Sequence, residues 1–121
     1  MKEHTFRKLL VWKKPMQLVT DVYKKTKLFP QEELYALSSQ IKRCSVSIPS
    51  NIAEGYGRVS DKEYLRFLNI ALSSLFELQT QLEIAYNLEY LNQTSFENLY
   101  KSTGEIERML SSFIRKINAS N

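Results

Sequence analysis

Between residues 64 and 85 the apolar side chains fall at Tyr64, Leu68, Ala71, Leu75, Leu78, Leu82 and Ala85, alternating steps of four and three without a miss. That is the period of an α-helix with one face turned to a core, and it leaves no room for the two-residue alternation of a strand. Just before it, Ser60-Asp61-Lys62-Glu63 has the form of a capping box, in which Ser60 and Glu63 satisfy each other's backbone N–H groups. The spacing predicts a helix over about 61–89, roughly 40 Å long at ~1.5 Å per residue. Its apolar arc also takes in Phe67, Leu65, Leu72 and Phe76. An arc that wide exceeds the roughly 100° stripe of a surface helix and calls for two neighbours within a bundle or for self-association.

The rest of the chain repeats the pattern. Leu34, Leu37, Ile41, Cys44 and Ile48 form one seam, and Leu99, Thr103, Ile106, Leu110, Phe113 and Ile117 another. The second of these follows Thr94-Ser95-Phe96-Glu97, which reads as another capping box. Nearer the start, Trp12, Met16, Val19 and Tyr23, with Val22 beside them, mark a first helix, with Pro15 placed in its opening turn. "LFPQEE" ends that helix, because Phe29 precedes a proline, and Pro30 with Gln31, Glu32 and Glu33 reads as a new start with acids at the positive end of the dipole. Helices are therefore expected at about 12–27, 31–55, 61–89 and 95–118. With short connections they make an all-α, antiparallel up-and-down four-helix bundle, one domain over residues 1–121.

Net charge is +4, but its placement says more than its sum. Residues 1–27 carry eight Lys and Arg against two acids, whereas residues 60–91 carry two bases against five acids. The basic first helix implies attraction to a polyanion, and equally matches an acidic neighbour within the fold. No apolar run approaches the roughly 18 residues needed to span a bilayer, and the charged N-terminal stretch does not read as a secretion signal. A soluble cytoplasmic protein is the expectation, and the single cysteine, Cys44, fits a reducing compartment.

The residue set is poor in chemistry. A di-iron bundle needs inward carboxylates and two Glu-x-x-His pairs, while this chain has one histidine, His4, and no such pair. The same shortage removes Ser-His-Asp and Cys-His nucleophilic schemes. Cys44 lies on a core seam and reads as a small buried hydrophobe. No catalytic set, metal site or cofactor is expected.

The segment "SVSIPSNIAEGYGR", Ser45 to Arg58, departs from the rest. Its Gly-x-Gly-Arg end lacks the preceding strand and third glycine of a dinucleotide fingerprint and the Gly-Lys-Ser/Thr of a P-loop. Gly55 or Gly57 then reads as the left-handed stop of the second helix. Pro49 is expected to kink that helix and to leave the Ser45 carbonyl without its helical donor. The stretch from Cys44 to Ala53 carries no charge, and the outer positions Ser47, Ser50 and Asn51 are small and polar where a solvated helix normally uses Lys, Glu or Gln. These three are the expected contact with another helix, within the subunit or across an interface.

Over about Leu10 to Leu91 the chain resembles the four-helix bundle proteins encoded in intervening sequences of bacterial large-subunit ribosomal RNA genes, most specifically in "SQIKRCSVSIPSNIAEGYGR". It departs from that pattern with Cys44 for a usual alanine, Gln79 for a usual acid and Glu89 for a usual glycine. Such proteins are similar to the accessory protein of diversity-generating retroelements, a homopentameric barrel of bundles that binds nucleic acid and a reverse transcriptase. The resemblance implies a ring-like homo-oligomer, a pentamer, with no catalysis of its own and with RNA, DNA or a protein such as a reverse transcriptase as partner. Lys13, Lys14, Lys24, Lys25, Lys42, Arg43, Arg58 and Arg66 are the candidate phosphate contacts. The competing reading is a protein-binding scaffold whose basic first helix is paired with its own acidic third.

Overall fold

A computed structural model describes residues 6–120. After a 3-10 turn at Phe6–Lys8 come four helices: α1 (Leu10–Thr26), α2 (Leu37–Tyr56), α3 (Asp61–Asn87) and α4 (Gln93–Ala119), with a second 3-10 turn, Gln31–Glu33, between α1 and α2. There is no strand among the described residues. Each helix packs on the next and α4 closes back on α1, so the four surround one core. Neighbours run antiparallel. Cys44 meets Ser74 while Gly55 meets Phe67 across α2 and α3, and Tyr64 meets Phe113 while Tyr86 meets Phe96 across α3 and α4. No helix among the described residues is long and apolar enough to cross a membrane.

The α3 seam follows its period from Leu68 on: Leu68, Ala71, Leu75, Leu78, Leu82 and Ala85 are buried, while Tyr64 at its start is half-buried. Phe67 is buried too, but Leu65 and Leu72 are only half-buried and Phe76 is 46% exposed, so the two bundle neighbours do not cover the whole arc. From α2 come Ile41, Cys44, Ile48 and Ile52, and from α4 Leu99, Thr103, Ile106 and Leu110. Each large aliphatic side chain so buried contributes roughly 1.5–3 kcal/mol. Thr103 needs a polar partner at that depth and has two: its hydroxyl donates to the Tyr100 carbonyl at 2.6 Å and accepts from Gln79 Nε2 at 3.1 Å.

Helix α1 is rotated by one residue from the expected phase. Its buried face is Val11, Pro15, Leu18, Val22 and Thr26, whereas Met16 and Tyr23 are 41% and 42% exposed and Trp12 and Val19 half-buried. Both sets have helical spacing. The aliphatic set fills the interior, and the aromatic and Met set lies where one edge stays in water. Because α1 begins at Leu10, Pro15 sits in its second turn, not the first.

Helix starts also differ from expectation in two places. Gln31–Glu33 forms only a 3-10 turn, Ala36 breaks the path at φ −122° and ψ −106°, and α2 begins at Leu37. Leu34 is consequently exposed. Glu33 nevertheless serves the helix start, because its Oε1 accepts from the Leu37 N–H at 3.2 Å. Its Oε2 accepts from the Tyr90 hydroxyl at 2.9 Å, and that bond raises the Tyr90 pKa from its ordinary value. For α4 the cap is Asn92, whose Oδ1 accepts from the Ser95 N–H at 2.8 Å, so the helix starts two residues before the predicted Thr94 box. The Ser60 cap of α3 is present, with Oγ accepting from the Glu63 N–H at 3.1 Å.

The glycines of "EGYGR" have a different use from the one expected. None has a positive φ, and Gly57 caps α2 at φ −82° and ψ 0°. Gly55 is a buried helical residue where a Cβ would come within 2.8 Å of Phe67 Cβ and 3.0 Å of Tyr64 Cδ1. It is glycine so that α2 and α3 can approach. The left-handed stop lies instead at Glu89, φ 64°, after α3. There the Tyr90 N–H donates to the Ala85 carbonyl and the Glu89 N–H to the Tyr86 carbonyl, both at 2.9 Å, the two bonds of a Schellman ending. Helix α2 continues through the buried Pro49 to Tyr56.

Candidate nucleic-acid interface

Because the core takes Leu18 and Val22, the lysines of α1 are turned outward: Lys13, Lys14 and Lys24 are exposed and Lys25 half-buried. Lys14 forms an ion pair with Glu105 of α4 at 3.7 Å. Such an exposed pair is worth well under ~1 kcal/mol and leaves most of the charge available. Lys24 and Lys25 border a cleft of about 270 Å³ between α1 and α4, which Asp21, Ser95, Asn98 and Ser102 also line. Two ammonium groups facing two hydroxyls and an amide make a setting that can hold a phosphate, with the Asp21 carboxylate as the one opposing charge. Asp21 accepts a hydrogen bond from Gln17 Nε2 at 3.1 Å.

The other four basic candidates are dispersed. Lys42 on α2 is half-buried, with Nζ 5.4 Å from the centre of the Tyr23 ring. Arg43 is exposed and lines a second cleft, between α2 and α3. Arg58 and Arg66 lie at the α2–α3 corner, each against the Phe67 ring, with Cζ atoms 4.7 and 4.6 Å from its centre. Arg58 pairs with Glu54 at 2.9 Å and Arg66 with Glu63 at 3.5 Å. The structure thus brings Lys24 and Lys25 together, keeps Lys13 and Lys14 on the same helix, and sets Arg58 and Arg66 each beside a local carboxylate. Among the described residues, Lys13, Lys24, Lys25 and Arg43 form no ion pair.

Of the three expected contact residues, Ser47 and Asn51 are engaged within the chain. Ser47 Oγ lies 2.9 Å from Ser74 Oγ of α3, and Asn51 Nδ2 donates to the Ser47 carbonyl at 2.8 Å and to Ser47 Oγ at 3.0 Å. Ser50 is exposed. Beside them the Cys44 thiol donates to the Ser74 carbonyl at 3.0 Å. Burial, and secondarily the nearby Glu77 carboxylate, push that thiol up to about 12. Cys44 therefore stays protonated and inert near neutrality. Among the described residues no three His, Cys, Asp or Glu side chains gather as metal ligands, and His4 lies outside those residues.

Ser95, Asn98 and Ser102 were not among the expected site residues. Their spacing of three and four places them on one α4 face, a signal that was available. That this face borders α1 follows only from the closure of the bundle.

The model of the 23S rRNA-intervening sequence protein family matches residues 7–112. Among solved structures the chain is similar to a protein of unknown function from the S23 ribosomal protein family of Bacteroides thetaiotaomicron, at 28% identity and a TM-score of 0.81, covering 87% of this chain and 98% of that one. No curated protein matches the chain. With the four helices in place and the family pattern running from the 3-10 turn before α1 into the last turns of α4, the chain belongs to the 23S rRNA-intervening sequence protein family.

Proposed function

We propose that the protein is a non-catalytic, homo-oligomeric nucleic-acid-binding accessory protein that grips phosphates along α1. The observation that carries this is the pairing of Lys24 and Lys25 with Ser95, Asn98 and Ser102 in the α1–α4 cleft, with Lys13 and Lys14 further along the same helix. The acidic third helix does not answer these charges. Among the described residues the one α3 carboxylate that forms an ion pair, Glu63, does so with Arg66 of the same helix, and the α1 lysine that is paired takes its partner from α4. That arrangement favours the polyanion reading over a scaffold whose first and third helices neutralise each other. One protomer offers a weak patch, and a ring of copies, a pentamer on the family resemblance, multiplies it.

The test is binding of single-stranded RNA and of duplex DNA across a salt series, with the native mass of the assembly measured alongside. Neutralising about three phosphates per protomer predicts a loss of affinity of roughly 20- to 40-fold between 50 and 200 mM salt. Binding that is absent, or indifferent to salt, removes the proposal, and a monomeric mass removes its oligomeric part.

A further inference from the structure

The second cleft, between α2 and α3, has a volume of about 400 Å³ and a chemical make-up that the α1 face lacks. At its mouth is Tyr35, 91% exposed, held off the α2 axis by the break at Ala36. Arg43 of α2 and Glu77 of α3 place one guanidinium and one carboxylate in the same cleft. Gln40 lines it too, as do the hydroxyls of Ser47 and Ser74, 2.9 Å apart. A tyrosine of this size left almost wholly in water gains nothing for the fold. A flat ring stacking on it would gain what base–aromatic contacts provide.

An aromatic plate, a fork for an anion and a carboxylate for N–H donors are three recognition elements of one kind of ligand. We propose that the α2–α3 cleft takes a single unpaired nucleotide, with the base on Tyr35, the phosphate on Arg43 and the base edge on Glu77. Glu77 narrows the choice of base. Guanine alone presents two adjacent donors, N1–H and the N2 amino group, to one carboxylate, whereas the Watson–Crick edges of adenine, cytosine and uracil each offer a single donor group. Guanine is the favoured base. Glu77 Oε2 accepts from Gln81 Nε2 at a long 3.4 Å and the Cys44 thiol lies beside the same carboxylate, contacts that orient it; with two acceptor sites on each oxygen, both oxygens can still take the N1–H and N2 donors. Gln40 is left for the sugar. The inference rests on the nucleic-acid reading above and adds to it a place where sequence is read, since the lysines of α1 can only count phosphates.

Titration calorimetry on the full chain tests this with GMP, AMP, CMP, UMP, guanosine and inorganic phosphate, and with an oligouridylate eight-mer carrying or lacking one central guanine. The expected result is a GMP preference that Tyr35→Ala weakens roughly 5- to 150-fold, the range that loss of one stacked base produces. Arg43→Gln should bring GMP down to the level of guanosine, and Glu77→Gln should abolish the preference for guanine. Tyr35 is exposed, so its truncation leaves the fold intact. Guanine-dependent binding of the eight-mer without binding of free GMP assigns the site to strands, and equal binding of both assigns it to the free nucleotide; either result supports the site. Inorganic phosphate competing as well as GMP, or affinity unchanged in Tyr35→Ala, overturns it. RNA binding lost on reversal of Lys24 and Lys25 but unmoved by Tyr35→Ala overturns the cleft while leaving the α1 reading standing. Tyr35-dependent GMP binding without salt-sensitive RNA binding does the opposite.

Discussion

Replacing Gly55 by alanine adds one methyl group at the closest approach of α2 and α3. The new Cβ would lie 2.8 Å from Phe67 Cβ, 3.0 Å from Tyr64 Cδ1 and 3.3 Å from the Tyr64 carbonyl oxygen. Carbon atoms are at ease at about 3.5–4.0 Å, so the overlap with Phe67 is roughly 1 Å. A Cβ is fixed by its backbone, and no rotamer of Phe67 moves the offending atom. The helices must separate instead, at a cost of about 1–3 kcal/mol for overpacking. The helix propensity gained from Gly to Ala, at most ~1 kcal/mol and less in a last turn, offsets part of it. For 121 residues the unfolding entropy is about 0.25 kcal/mol/K. A net loss of about 1–2 kcal/mol thus lowers Tm by roughly 4–8 °C. The same substitution at Gly104 should act in the opposite sense. Its Cβ would meet only Arg108 Nη1, at an ordinary 3.6 Å, so the interior of α4 gains ~0.5–1 kcal/mol and a few degrees. Thermal unfolding by far-ultraviolet circular dichroism compares the two variants with the parent chain. Gly55→Ala as stable as the parent, beside a stabilised Gly104→Ala, would refute the close α2–α3 approach.

Other outcomes follow from the helix ends and the buried thiol. Glu89→Gly should raise stability by about 1 kcal/mol, because an L-residue pays 1–2 kcal/mol in the left-handed region and glycine pays only part of that in chain entropy; a lower urea midpoint in this variant would contradict the Schellman ending. Asn92→Ala should cost about 0.5–2 kcal/mol while Thr94→Ala is nearly neutral, which denaturant titration of both variants resolves. The Cys44 thiol, held at about 12 when folded against 9.0 ordinarily, makes the folded state prefer the protonated form. The contribution of Cys44 to stability should therefore be constant below pH 9 and be lost as pH climbs from 9 towards 12, so Cys44→Ala should shallow the alkaline fall. Tyr64, pushed up to about 12 from 10.0 by burial and secondarily by Tyr56, adds to the loss at the upper end.

What the sequence made legible was whatever a single helix face determines. The α3 seam from Leu68 to Ala85 and the α4 seam from Leu99 to Leu110 were readable because each has one unbroken apolar stripe. Helix α1 carries two adjacent stripes, one through Trp12 and Tyr23 and one through Leu18 and Val22, and periodicity alone does not choose between them. The choice is made by what α2 and α4 leave to be filled. The role of Gly55 is not local for a related reason: its freedom from a Cβ is spent against α3, a partner the local sequence does not name. Asn92 and Glu33 cap by long or unboxed geometries, so the Thr94 box and the Pro30 start looked stronger than they are. The basic residues were all visible, but their grouping was not. Lys24 and Lys25 gain polar company from α4, whereas Arg58 and Arg66 are drawn onto Phe67.

That grouping is also where the functional account is most exposed. A titration of labelled single-stranded RNA across a salt series, run on the parent chain, on Lys24→Glu with Lys25→Glu, and on Arg58→Glu with Arg66→Glu, separates the two basic groups. The account predicts that reversal of the α1 pair lowers affinity at least tenfold and flattens the salt slope by about 1–2, as expected when one or two phosphates per protomer are no longer neutralised. The corner pair, with a carboxylate beside each arginine and no hydroxyl or amide cleft around it, should have the smaller effect. Equal affinity in the parent and in the α1 double reversal would contradict the account.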